Sequence, residues 1–159
     1  SARDGLTDVR RSIKALRPDA LERSSLAEAL EELVKNFCMT TSAKVAYSQE
    51  AGPLKLAADE EDTLYRAVQE GLTNAVRHGH AGQIDIRLTR KGDVVTVSIR
   101  DNGLGCAEPE EGFGLRHMRE RLELLGGALT CGNLDMDAAD GYTGFFITVD
   151  LPVRSRKEE

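Results

Sequence analysis

Cysteine is scarce in this 159-residue chain, and its three copies, Cys38, Cys106 and Cys131, are scattered. No CxxC pair occurs, so the sequence offers neither a zinc site nor a disulfide framework, and a reducing compartment fits. No apolar run approaches the eighteen residues that a membrane-spanning helix needs, and no secretory signal is present. Positive charge is in deficit: 21 Lys and Arg against 27 Asp and Glu leave a net charge of −6. A broad nucleic-acid or acidic-membrane surface is therefore not expected. Internal repeats and low-complexity runs are also missing. What remains is an ordinary globular composition, 40% apolar and 30% charged, with a length that suits one domain.

Periodicity then divides the chain. Leu6, Val9, Ile13 and Leu16 recur at helical spacing and predict an amphipathic helix that Pro18 stops. Its narrow apolar stripe suits either a partner helix or the chain's own core. The Ser25-x-x-Glu28 pattern predicts a capping box for a second helix with Leu26, Ala29, Leu30, Leu33, Val34 and Phe37 on its core face. A strand is expected at Lys44 to Ser48, a turn at Gly52-Pro53, and a long helix from Asp59 to Arg77. Alternation at Ile84, Ile86 and Leu88 and at Val95, Val97 and Ile99 predicts a hairpin through Lys91-Gly92-Asp93. A helix at Leu115 to Leu125 and strands at Ala128 to Gly132 and Phe145 to Leu151 complete the order. This order predicts an α/β two-layer sandwich, with a mixed, mainly antiparallel sheet and helices on one face.

Three short segments carry chemistry. In QEGLTNAVRHGH, Glu70 and Asn74 are four apart and share a helix side distinct from the apolar stripe. An amide oxygen there is a hard ligand suited to Mg²⁺, and Glu70 can hold a water or act as base. Arg77, His78 and His80 follow at the helix end, where cations suit the dipole and can meet phosphates. The plain alternative is a solvated polar face with a C-terminal cap. In RDNGLG, Asp101 ends a strand and can accept from an exocyclic amine, while Gly103 and Gly105 let the backbone approach a flat ligand. The plain alternative is an Asn-Gly turn. In GFGLRHM, Gly112 and Gly114 open a helix whose free N–H groups favour an anion, with Arg116, His117 and Arg119 adding cationic donors. The polar loop from Asn133 to Gly144 carries Asp135, Asp137 and Asp140, but lacks the final Glu of an EF-hand loop and reads as a solvated turn.

The three segments in this order resemble the N, G1 and G2 boxes of the GHKL ATPase superfamily. QEGLTNAVRHG, DNGLG and GFGLRHMRERLELLGG are most similar to sensor histidine kinases of the nitrate-sensor-like subfamily. The lead-in VRRSIKALRP resembles the end of a dimerisation helix. The resemblance implies a Bergerat-type ATP-binding fold, with residues 1–17 as dimerisation helix and linker and 18–159 as the catalytic and ATP-binding domain. It implies that Asn74 coordinates Mg²⁺ on the ATP phosphates, that Glu70 is base or water-polariser, and that Asp101 takes the adenine amine. Gly103 and Gly105 make room for the base, Gly112 and Gly114 hinge a lid, and Arg77, His78, Leu115 and His117 line the nucleotide. The lid is a short acidic run from Cys106 to Glu111. A Gly-Thr pair expected before the final Pro is replaced by Gly144-Phe145, which leaves Thr143 as the displaced candidate for the adenine side.

All three histidines lie in nucleotide-box segments. The phosphoacceptor histidine is therefore expected on an upstream dimerisation domain, in a longer parent that starts before Ser1. The expected activity is transfer of the ATP γ-phosphoryl group to that histidine. Implied partners are the dimerisation domain, a homodimeric parent and a cognate response regulator, with no nucleic acid. A cytoplasmic location fits, with room for a membrane-anchored parent. Two readings stay open beside it: an anti-sigma-factor-like protein serine kinase, and a nucleotide-sensing domain without transfer activity.

Overall fold

The computed structural model describes residues 18–77, 80–105, 113–134 and 144–153. The lead-in helix, His78, Gly112, Thr143 and the lid residues Cys106 to Glu111 lie outside them. The described chain runs α1 (Asp19–Arg23), α2 (Leu26–Thr40), β1 (Lys44–Gln49), α3 (Ala58–Arg77), β2 (Gln83–Lys91), β3 (Val94–Asp101), α4 (Phe113–Leu124), β4 (Ala128–Asn133) and β5 (Phe145–Pro152). Only α1, a single helical turn after Pro18, has no counterpart in the sequence reading. It is too short to show a 3.6-residue period.

The strands form one five-stranded sheet in the order β1-β2-β3-β5-β4. β1 pairs parallel with β2 and every other pair is antiparallel. A parallel pair needs a crossover, and α3 supplies it. Helix α2 meets β1 at one edge and α4 meets β4 at the other, while α3 touches both helices and β2, β3 and β5. The helices thus form a single layer with α3 in the middle.

Register shows why this face is the core. Leu88, Val97, Val149 and Leu129 stand side by side across four strands, and so do Ile86, Ile99, Ile147 and Cys131. Most of these residues are fully buried, and the half-buried Cys131 closes its row as a small apolar residue at the sheet edge. The opposite face is polar, with Asp85 paired to Arg87 at 3.2 Å and Thr96 donating to Asp150 Oδ1 at 2.7 Å.

The Ser25–Glu28 capping box forms as expected, both bonds at 3.2 Å, and closes the N-terminus of α2. A close contact fixes α3 against the sheet. Gly71 lies flat on Ile99: a Cβ there would sit 2.6 Å from Ile99 Cδ1. Gly71→Val should overpack this contact and lower the unfolding free energy by about 1–3 kcal/mol, read from urea denaturation. An unchanged midpoint would show that α3 and β3 are not in close register.

Candidate nucleotide-binding site

On β3 the core-facing positions are Val95, Val97, Ile99 and Asp101. The last of these places a carboxylate, 4% exposed, where the pattern calls for an aliphatic side chain. Asp101 Oδ1 accepts from the Gly103 N–H at 2.8 Å and the Phe145 N–H at 3.3 Å. Among the described residues Oδ2 accepts no hydrogen bond. Burial pushes the Asp101 pKa above its ordinary value, and the two N–H donors pull against that shift. The result, among the described residues, is a desolvated carboxylate with Oδ1 engaged twice and Oδ2 without a donor.

Backbone closes tightly around this group. A Cβ on Gly144 would lie 2.7 Å from both Asp101 Oδ1 and the Gly103 nitrogen. Gly105 has φ +78°, and a Cβ there would overlap the Asn133 side chain. Gly144 therefore serves as the near neighbour of Asp101 from the β5 side, a role that the sequence reading did not assign.

Helix α3 contributes from the other side. Glu70 and Asn74 are both half-buried on one side of the helix. A Cβ on Gly114 would overlap the Glu70 carboxylate, so the first turn of α4 rests directly on that group. Asn74 makes no side-chain hydrogen bond among the described residues. Arg77 ends α3 and is exposed. His117 is exposed on α4, 4.0 Å from Glu120, while Leu115 is buried at 3% in the hydrophobic core. Leu115 thus anchors the helix start instead of presenting a free side chain.

The position of α4 is set by a clamp absent from the sequence reading. The buried Asp62 carboxylate receives Arg66 Nε at 3.1 Å and also pairs with Arg121 Nη2. Arg121 Nε donates to Thr63 Oγ1 at 3.2 Å. Between the helices lies a cavity of about 220 Å³ bordered by Arg66, Gln69, Glu70, Gly114, His117, Met118 and Arg121. Asp62 and Arg121 are far apart in sequence and match no local motif, so no pattern marks them as partners.

Asn74 and Asp101 are not bonded to one another, but a short chain connects their ends of the fold. The Ala81 N–H donates to the Ala75 carbonyl at 2.9 Å, and the next residue, Gly82, donates to Asn102 Oδ1 at 3.0 Å. The structure therefore gathers Glu70 with Gly114, and Asp101 with Gly103 and Gly144, around the C-terminal half of α3. His78, Gly112 and Thr143 fall outside the described residues.

Residues 59–155 match the family described as histidine kinase-, DNA gyrase B-, and HSP90-like ATPase. The chain belongs to this ATPase family. Its relatives include the sensor histidine kinase LnrJ of Bacillus subtilis, 36% identical over 142 residues, which span 89% of this chain and 34% of LnrJ. The nitrate/nitrite sensor protein NarQ of Escherichia coli is 38% identical over 114 residues, 69% of this chain and 20% of NarQ. The chain thus spans between a fifth and a third of these relatives' length. Among solved structures, the ATP binding domain of PrrB from Mycobacterium tuberculosis superposes with TM-score 0.63 at 23% identity, covering 79% of this chain and 92% of that one. The fold is therefore that of a histidine kinase ATP-binding domain, and the family supports ATP as its ligand.

The direction of the Asp101 shift carries a stability consequence. Its folded-state pKa lies above the unfolded value, so between the two the native state holds the proton more tightly. Stability from this group accordingly falls as pH rises from the ordinary 3.8 through the folded-state value. Asp101→Asn keeps the oxygen that accepts from Gly103 and Phe145 but removes the charge. Relative to wild type, the Asn variant should gain stability as pH is raised through that window, measured by unfolding at a series of pH values. A difference that shrinks with rising pH would contradict the burial argument.

Proposed function

We propose that this chain is the ATP-binding catalytic domain of a sensor histidine kinase, which transfers the γ-phosphoryl group of ATP to a histidine nitrogen on a dimerisation domain. The observation that carries this reading is the Asp101 carboxylate, buried with one oxygen saturated by backbone and the other available for an exocyclic amine. A guanine would present a carbonyl oxygen to that acceptor, and two acceptors repel. Adenine is thus favoured over guanine at this position.

The residues also suit Mg²⁺. Among the described residues no cluster of three His, Cys, Asp or Glu side chains forms a metal cage. The Asn74 amide oxygen, without a hydrogen-bond partner among the described residues, fits an ion that keeps its waters and leans on substrate phosphates. Bound there, Mg²⁺ would supply charge neutralisation on the phosphates. The chain's own contribution is positioning. Asp101 holds the base, Arg77 brings positive charge to the phosphate end and His117 offers a ring nitrogen there, while the resemblance also assigns His78, Gly112 and Thr143, outside the described residues, to the nucleotide. Glu70, fixed under Gly114, accepts a proton or orders water near the transferred group. In the transfer the bond between the γ-phosphorus and the β,γ-bridging oxygen breaks as the imidazole nitrogen attacks. ADP leaves, and the imidazole N–H proton passes to base or solvent.

LnrJ is named a sensor histidine kinase and NarQ a nitrate/nitrite sensor protein, and the stretches matched by this chain cover 34% and 20% of them. On this reading residues 1–17 belong to the dimerisation helix and linker, the parent is a homodimer, and a response regulator takes the phosphoryl group onward. Among the described residues no helix is long and apolar enough to cross a membrane. The proposed location is cytoplasmic, with the signal sensed elsewhere in the parent.

Incubating this chain with ATP, Mg²⁺ and a separate dimerisation domain should place an acid-labile phosphate on that domain. An acid-stable phosphate on a serine acceptor would favour the serine-kinase alternative, and nucleotide binding without transfer would favour a sensing role. In the same system Asp101→Ala should weaken ATP binding by about 1.5–3 kcal/mol, the worth of a hydrogen bond to a charged group, or about ten- to hundredfold. Asn74→Ala should abolish the Mg²⁺ dependence of binding. Normal ATP affinity in both variants would overturn the site.

A further inference from the structure

We infer that Asn102 is a positioning residue that sets the orientation of the Asp101 carboxylate, and through it the choice of nucleobase, by tying the strand end to the segment that follows α3. This inference rests on the nucleotide site proposed above. In sequence, Asn102-Gly103 looks like a turn. In the structure the Asn102 side chain reaches across to residues 19 and 20 positions away. Its Oδ1 accepts from the Gly82 N–H at 3.0 Å and the Gln83 N–H at 2.9 Å, and its own N–H donates to the Gln83 carbonyl at 3.1 Å. One side chain thereby satisfies two consecutive backbone donors at a place where the β2–β3 ladder has just ended, at Ile84 and Asp101.

The segment it holds is itself fixed at both ends. Ala81 donates to the Ala75 carbonyl in the last turns of α3, and the Gly82 carbonyl accepts from Lys44 at the start of β1 at 2.9 Å. Asn102 therefore connects the base-binding carboxylate to the C-terminal part of α3, one residue from Asn74. The connection sets the spacing between the two ends of a bound nucleotide. Its bonds are solvent-exposed, and exposed bonds of this kind add little to global stability. A side chain that contributes little to the fold, yet bridges two ligand-binding elements, is placed for geometry.

The test compares wild type, N102A and N102D, titrated with ATP and with GTP, alongside unfolding curves. N102D retains an oxygen acceptor for Gly82 and Gln83, and N102A does not. In N102A, ATP affinity should fall about tenfold, while GTP affinity changes little, so that the preference for ATP collapses. N102D should restore most of the preference. The unfolding midpoint of N102A should stay close to wild type. Equal losses for both nucleotides, or a preference unchanged in N102A, would overturn the positioning role while leaving the nucleotide site standing. If wild type itself shows no preference for ATP, the proposed adenine site fails, and this inference fails with it.

Discussion

The site depends on a single buried charge. Asp101 occupies the last core-facing position of β3, in line with Val95, Val97 and Ile99. An aliphatic residue there would extend the core without penalty. The carboxylate instead carries a desolvation cost, visible as an upward pKa shift, and backbone donors from Gly103 and Phe145 offset part of it. A fold that keeps an acceptor dry and half-satisfied holds it ready for a donor from outside. On the function proposed above, that donor is the exocyclic amine of adenine.

Backbone proximity does the remaining work around that charge. Gly144 lies so close to Asp101 and Gly103 that no side chain fits between them, and Gly114 presses on the Glu70 carboxylate in the same way. These contacts bring β5 and α4 onto the strand end and onto α3 without intervening side chains. The Asp62–Arg121 pair then ties the last turn of α4 to α3, and the core burial of Leu115 keeps its first turn down.

Much of this was legible in the sequence, and the reasons are physical. Alternation at Ile84, Ile86 and Leu88 can only satisfy a one-sided sheet, and the Ser25–Glu28 spacing has one structural use, so these elements appear within a residue or two of where they were expected. Glu70 and Asn74 were visible through their spacing of four on the polar side of a helix, and Asp101 through its place at a strand end just before Gly103 and Gly105. What stayed hidden is long-range. Asp62 and Arg121, Asn102 and Gly82, and Asp101 and Gly144 are brought together only by the fold. The parallel pairing of β1 with β2 was covered by the expectation of a mixed sheet, but no residue pattern specified which strand it joined. Asn102 was hidden for a further reason: the Asn-Gly pair that makes a good turn also disguises a side chain with a distant partner.

The most direct measurement is an experimental structure of this chain with a non-hydrolysable ATP analogue and Mg²⁺. The exocyclic amine of adenine should lie within hydrogen-bonding distance of Asp101 Oδ2, with the metal ion on the Asn74 amide oxygen and the triphosphate directed toward the start of α4. A nucleotide bound with its base away from Asp101, or a metal ion held without Asn74, would contradict this placement.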